Sequence, residues 1–329
     1  MRRVPVLLAA AFLFSCATNT PNRDLAVEYY NLGNAYFEVS QMEKAIAAYR
    51  AALRYDPGSV KASYNLALAL VKAGRAEEAV TILSEILAGD PGNVEILEAL
   101  AWTKSTTGAD EEAIGIYERI LAVSAENGNA LYNLGVLQWK TGKKEEAAER
   151  FRTLLRYSPD DLPGMFNLGE LLLSLDRAEE AADYLARYSQ KKPEDAAATL
   201  LLALCQERLS NYARALELYE LIIGADGKNA KAFFGKARLL LTEIEDPDKG
   251  LSSLQQALDL GFADVEAIKA LIDSPLLLER DAVEKLLAAK SLMPKKTMGE
   301  EATEGGAGGN ESKEGGTAAE GAADSASGR

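Results

Sequence analysis

Histidine is absent from all 329 residues. That removes the usual general base at neutral pH and the commonest metal ligand. Cysteine is almost absent as well. Cys16 and Cys205 lie far apart in the chain, and two such distant thiols do not read as a disulfide framework. Basic residues are in deficit: 36 lysines and arginines stand against 50 aspartates and glutamates, a formal net charge of −14. A chain with that balance lacks the clustered cationic face that binds phosphate, so nucleic acid is excluded as a partner. Electrostatic adhesion to an anionic lipid surface is disfavoured for the same reason. Aromatic residues make up only 7 %, but apolar residues as a whole reach 48 %, enough to bury a substantial core.

The first residues read as an address. Met1-Arg2-Arg3 is a short positive region, followed by an apolar run from Val4 to Phe14 and then Ser15-Cys16. The run is shorter than the roughly 20 apolar residues that a spanning helix needs, and it has the proportions of a secretory signal. Leu13-Phe14-Ser15-Cys16 resembles the lipobox of bacterial lipoproteins. That resemblance implies cleavage after residue 15 and attachment of diacylglycerol to the Cys16 thiol, a durable anchor when several chains are attached. Residues 16–25 would then be the lipidated cysteine and a short tether. Ala17, where an aspartate would retain such proteins at the inner membrane of enteric bacteria, favours the outer membrane. The alternative is an ordinary cleaved signal with a cysteine nearby.

The middle of the chain repeats itself every 34 residues. Asn31-Leu32-Gly33, Asn65-Leu66-Ala67, Asn133-Leu134-Gly135 and Asn167-Leu168-Gly169 share one frame. In that frame Ala45, Ala79, Ala113, Ala147, Ala181 and Ala215 recur without a slip, with Tyr49, Leu83, Tyr117, Phe151, Leu185 and Tyr219 four residues after them. Pro57, Pro91, Pro159 and Pro193 close several units in phase. This pattern resembles the tetratricopeptide repeat, two antiparallel helices per unit. The resemblance implies an all-α right-handed solenoid with six units over residues 26–229.

The residue types fit that architecture. Gly33, Ala67, Ala101, Gly135, Gly169 and Ala203 let the second helix approach the first. Gly74, Gly108 and Gly142 suit a left-handed cap where a first helix ends, and the prolines stop the second helix. A degenerate seventh unit follows if the turn at Glu245-Asp246-Pro247 carries one extra residue. Two further helices, Ala263 to Ile272 and Pro275 to Ala288, complete a terminal cap, so that residues 230–291 end the array. Residues 292–329, rich in Gly, Glu, Ala and Ser and without aromatics, are expected to be a disordered acidic tail.

Candidate chemistry is thin. Glu77-Glu78, Glu111-Glu112, Glu145-Glu146 and Glu179-Glu180 are paired carboxylates, but each pair opens a second helix, where negative charge complements the helix terminus. Cys205 occupies the column of Ala35, Ala69, Leu137 and Leu171 and reads as an inert core thiol. No catalytic residue, metal ligand or cofactor motif emerges, and no enzyme activity is expected.

First helices line the concave surface of tetratricopeptide arrays, and the resemblance maps Tyr30, Asn34, Phe37, Tyr64, Asn65, Trp102, Tyr132, Asn133, Trp139, Phe166 and Asn167 onto it. Rings supply rigid contact area and amides can bond an extended backbone, so the surface would bind a peptide. The competing reading has the asparagines tying repeats together and some of the rings packing between helices. The carboxylate clamp of chaperone-binding members is not reproduced. Asn34 and Asn65 match its asparagines, but Tyr30, Glu95 and Ala99 stand where it needs cations. The expectation is an envelope scaffold that recruits proteins or peptides while held to a membrane by its N-terminal lipid. A small-ligand carrier with a closed central pocket is the alternative.

Overall fold

The computed structural model describes residues 23–293. The signal, Cys16 and most of the tether lie outside the described residues, as do residues 294–329 of the expected tail; Arg23, Asp24 and Leu25, expected as tether, are instead the first turn of a helix. Among the described residues the chain forms helices and turns with no strand. The helices are α1 (Arg23–Glu38), α2 (Met42–Tyr55), α3 (Val60–Lys72), α4 (Ala76–Gly89), α5 (Val94–Thr106), α6 (Asp110–Val123), α7 (Gly128–Lys140) and α8 (Lys144–Tyr157). They continue as α9 (Leu162–Ser174), α10 (Ala178–Lys191), α11 (Ala196–Arg208), α12 (Tyr212–Ala225), α13 (Ala230–Thr242), α14 (Pro247–Asp259), α15 (Val265–Asp273) and α16 (Arg280–Ala289).

Punctuation explains the ladder. Ser59, Asn93, Asn127, Asp161, Asp195 and Asn229 fall 34 residues apart, and each side chain accepts a hydrogen bond from the amide three residues on. Each such cap is worth about 1 kcal/mol and starts an odd-numbered helix. Those helices end where Gly74, Gly108 and Gly142 take φ of +79°, +81° and +84°, a conformation that costs a glycine nothing. Ser40, Asp176 and Ser210 hold the same place in their repeats at φ of 58–60°. The even-numbered helices mostly lack a side-chain cap and open on acids instead. Those acids also reach across repeats: Glu78 pairs with Arg50 and Arg75, Glu180 with Arg152 and Arg177, and Glu111 with Lys143. Exposed pairs of this kind contribute under about 1 kcal/mol each. Their role is alignment of one repeat on the next.

From α1 to α14 each helix packs on the next one in the chain. Odd-numbered helices also touch across the stack, α1 with α3, α3 with α5, α5 with α7 and α9 with α11, whereas successive even-numbered helices through α14 make no comparable approach. In a curved two-layer stack, neighbours are closest on the shorter inner arc, so the odd-numbered helices form the concave layer. The core runs between the layers as successive apolar clusters, each shared by adjacent repeats. Its largest buried members are Tyr49, Tyr117, Phe151 and Tyr219, the residues four after the recurring alanines. The glycines opposite them are fitted to their bulk: a Cβ at Gly33 would lie 2.5 Å from the Tyr49 ring and one at Gly135 2.9 Å from Phe151.

The C-terminal end departs from the sequence reading in one place. The turn before α14 has the extra residue, and Asp246 caps that helix. The last helix, however, begins at Arg280 and not at Pro275. Residues 275–279 form a turn because Leu277 is drawn into the core and the Leu278 amide bonds the Leu241 carbonyl 2.9 Å away. Ser274 accepts from the Leu276 amide within that turn, and the Arg280 guanidinium holds the carbonyls of Ile272 and Ser274. Phe234 and Phe262 stack at 4.1 Å to seal the cap.

Cys205 is fully buried on α11, and burial pushes its thiol up to about 11. A thiol so protonated is a poor nucleophile.

Candidate functional site

The concave layer carries the residues singled out by spacing, and the structure sorts them into two kinds. One kind has polar atoms committed to seams between helices. Asn65 on α3 donates to the Tyr30 hydroxyl at 3.1 Å and to Asn34 Oδ1 at 2.9 Å, both on α1. Asn34 Oδ1 also accepts from the Tyr49 hydroxyl of α2 at 2.8 Å. Burial is the main cause that pushes the Tyr49 phenol up to about 12. The same joint recurs three units on, where Asn167 of α9 donates to the Tyr132 hydroxyl of α7 at 3.1 Å. Asn133 spends its amide on the Asn129 carbonyl one turn back. Tyr132 packs edge-on to Phe151, and Phe166 meets Tyr188 at 5.5 Å between centroids.

The other kind presents apolar surface. Trp102 on α5 is 41 % exposed. Its position in the 34-residue frame is shared by Asn34 on α1, Leu68 on α3, Val136 on α7, Glu170 on α9, Leu204 on α11 and Arg238 on α13. Leu68 and Val136 are half-buried and Leu204 is 37 % exposed. They form a row along the inner layer. Trp139, one turn after Val136, packs its ring partly against the central cluster. Phe37 and Tyr64 lie half-buried beside the first cluster, and the Lys72 ammonium sits 4.4 Å from the Phe37 ring centre. Reading the sequence down the column of Trp102 would have found Leu68, Val136, Glu170 and Leu204; attention to aromatics and asparagines alone passed over them.

Two acids belong to this face. Glu98, one helical turn before Trp102, accepts from the amides of Asn127 at 2.7 Å and Asn129 at 3.4 Å. Glu170 is half-buried and makes no side-chain hydrogen bond or ion pair among the described residues. Burial, then the nearby Glu95 and Glu98 carboxylates, raise the Tyr64 phenol above its ordinary value. This stretch of the face is therefore negative as well as apolar.

The end of the row is closed by a polar knot. Glu207 on α11 accepts from the Tyr219 hydroxyl of α12 at 2.7 Å and pairs with Arg238 of α13. Burial and the adjoining carboxylate push the Tyr219 phenol well above its usual range. Burial opposes the Arg238 charge, but Glu207 outweighs it and holds the guanidinium protonated. Spacing did not mark this triad, since its members occupy three different columns of the frame. A recess of about 470 Å³, open to solvent, lies at the starts of α7 and α9 beside the end of α8, lined by Asn127, Asn129, Tyr132, Leu154, Asp161 and Pro163 among others.

Known proteins place this architecture. Family models of the tetratricopeptide repeat match residues 30–94, 137–193 and 166–230, and residues 108–163. Together they span more than half of the chain. Among solved structures, the fold is similar to that of YrrB, described as a TPR protein with an unusual peptide-binding site, at 21 % identity and a TM-score of 0.52 over 57 % of this chain and 96 % of that one. A tetratricopeptide repeat protein from Parabacteroides merdae is similar at 17 % identity and a TM-score of 0.53, covering 82 % of this chain and 99 % of that one. No curated protein matches the sequence. Proteins built this way are in general non-catalytic. The chain belongs to the tetratricopeptide-repeat family, a fold that serves as a scaffold for protein–protein interaction.

Proposed function

We propose that this protein is an adaptor of the bacterial envelope: Cys16 carries the lipid that tethers it to a membrane, the outer membrane being favoured, and the concave face captures a protein or peptide. The observation that carries the capture reading is the exposed Trp102 ring in a row of apolar side chains on the inner layer. Burying such a ring against a partner is worth several times what a neighbouring aliphatic contact contributes, which is why aromatic anchors dominate binding surfaces. The asparagines of the same face have a narrower part in this reading. Asn34, Asn65 and Asn167 hold the repeats in register, so the rings they brace keep their places before a partner arrives.

The tether rests on the leader, Met1 to Ser15, and on the Leu13-Phe14-Ser15-Cys16 run. A peptide-capturing surface joined to a lipidated Cys16 by only the stretch Ala17 to Asn22 would act within a short distance of that membrane.

Trp102→Ala with Trp139→Ala is expected to lower capture of envelope partners, scored by in-cell crosslinking, on the order of a hundredfold, the effect of losing two aromatic anchors. Far-ultraviolet circular dichroism should be unchanged, because neither ring is fully buried. Undiminished capture by the helical double variant would remove the groove from the reading. For the tether, a clickable palmitate analogue fed to cells should label the protein, and Cys16→Ala should abolish the label and release the chain from the membrane fraction. Labelling that survives Cys16→Ala would sink the lipid anchor.

A further inference from the structure

Resting on the groove reading above, we infer that the captured segment is a cationic apolar peptide, whose lysine or arginine side chains are received by Glu170 and Glu98 between the apolar positions of the concave row. Glu170 interrupts the row formed by Leu68, Trp102, Val136 and Leu204. Its neighbours one helical turn away, Phe166, Asn167, Leu173 and Ser174, are all uncharged, as are Val136 and Leu204 in the adjacent repeats. Glu170, half-buried as a residue, has no cation of its own among the described residues.

Several other carboxylates on this molecule are paired. Asp110 has Lys140, Asp176 has Arg208, Glu180 has two arginines, and the more buried Glu207 has Arg238. A partner's ammonium or guanidinium placed beside such an unpaired carboxylate gains a charge-assisted hydrogen bond. Glu98 repeats the arrangement beside Trp102. Its two bonds come from neutral amides, which orient the carboxylate without cancelling its charge. Both acids stand on the same helical layer as the exposed ring, so an occupant that covers Trp102 also meets them.

Basic residues available to the groove do not offset this. Lys140 and Arg208 are held by Asp110 and Asp176, Arg238, in the same column as Glu170, is held by Glu207, and Lys72 lies over the Phe37 ring. The net charge of −14 adds a long-range field of the same sign, which favours encounter with cationic segments and repels acidic ones.

The test uses the folded protein and three short fluorescein-labelled peptides that share one apolar frame and differ only in carrying lysine, glutamine or glutamate at the variable positions. Anisotropy titrations should rank them lysine over glutamine over glutamate, with lysine on the order of tenfold tighter than glutamine, the scale of one charge-assisted hydrogen bond. Raising salt should shrink that margin. Glu170→Lys should remove most of the preference, and adding Glu98→Lys should reverse it in favour of glutamate. Trp102→Ala should weaken all three peptides alike. Binding of the three with equal affinity, or a lysine preference that survives both charge reversals, would overturn this inference and leave the groove reading standing. Failure of every peptide to bind would remove the groove reading and this inference with it.

Discussion

Glu207→Ala should cost the array about 2–3 kcal/mol, lowering its denaturant midpoint, because it leaves two groups without a partner at once. Arg238 loses its counter-charge and the Tyr219 hydroxyl loses its acceptor. Removing one member of a fully buried ion pair costs about 3–5 kcal/mol; the figure here is set lower because the Arg238 side chain keeps 32 % of its exposure and water can partly solvate it. The carboxylate is the deeper member, at 9 %. Replacing the whole knot by apolar groups, Glu207→Leu with Arg238→Met and Tyr219→Phe, should recover most of the loss, since no charge or hydroxyl is then left without a partner. Urea unfolding of the single and triple variants makes the comparison. A single variant as stable as the parent would show that the knot contributes nothing to holding the seventh helix pair.

Gly169→Leu should be at least as damaging. Gly169 is fully enclosed where α9 crosses α10, and a Cβ there would lie 2.6 Å from Leu185 Cγ and 2.8 Å from its Cδ2. Cγ is the branch point of a buried side chain, so it cannot swing aside as the tip of a lysine would. Even Gly169→Ala sets two effects against each other. Helix propensity gains about 0.5–1 kcal/mol, while overpacking costs about 1–3 kcal/mol, so a net loss is expected. Leucine adds three further carbons to the same gap, and the loss should reach about 3 kcal/mol. Because each repeat leans only on its neighbours, the damage should separate the stack on either side of α9 and broaden the melt. A single sharp transition at the parental temperature in circular dichroism would contradict the crossing as described.

Legibility of the fold followed how local its causes are. The helix pairs could be read from alanines, glycines and prolines returning in phase, since each marks a packing gap or a chain stop close to itself in sequence. The extra residue before Pro247 was visible for that reason. Ser274-Pro275 suits a helix start and a turn alike, so the sequence pattern around it does not distinguish the two. The choice was made by Leu277 and by the Leu241 carbonyl, which lies far back along the chain. The candidate site was less legible. An asparagine at 65 or 167 looks alike whether it faces a ligand or a neighbouring helix; its partner, Tyr30 or Tyr132, lies 35 residues earlier and becomes adjacent only once the repeats stack.

Taken alone, the sequence determined the period, the all-helical class, the small residues at each crossing and the shortage of histidine and base that excludes whole classes of chemistry. Those are matters of residue type and near-neighbour spacing. The stacked structure decided which polar side chains are consumed at seams and which remain open. It closed Asn34, Asn65 and Asn167 onto tyrosines, tied Glu207 into a knot with Tyr219 and Arg238, and left Trp102 and Glu170 facing the hollow of the curve. Pairing of that kind depends on how one helix layer curves against the next, a distance in space that no count along the chain contains.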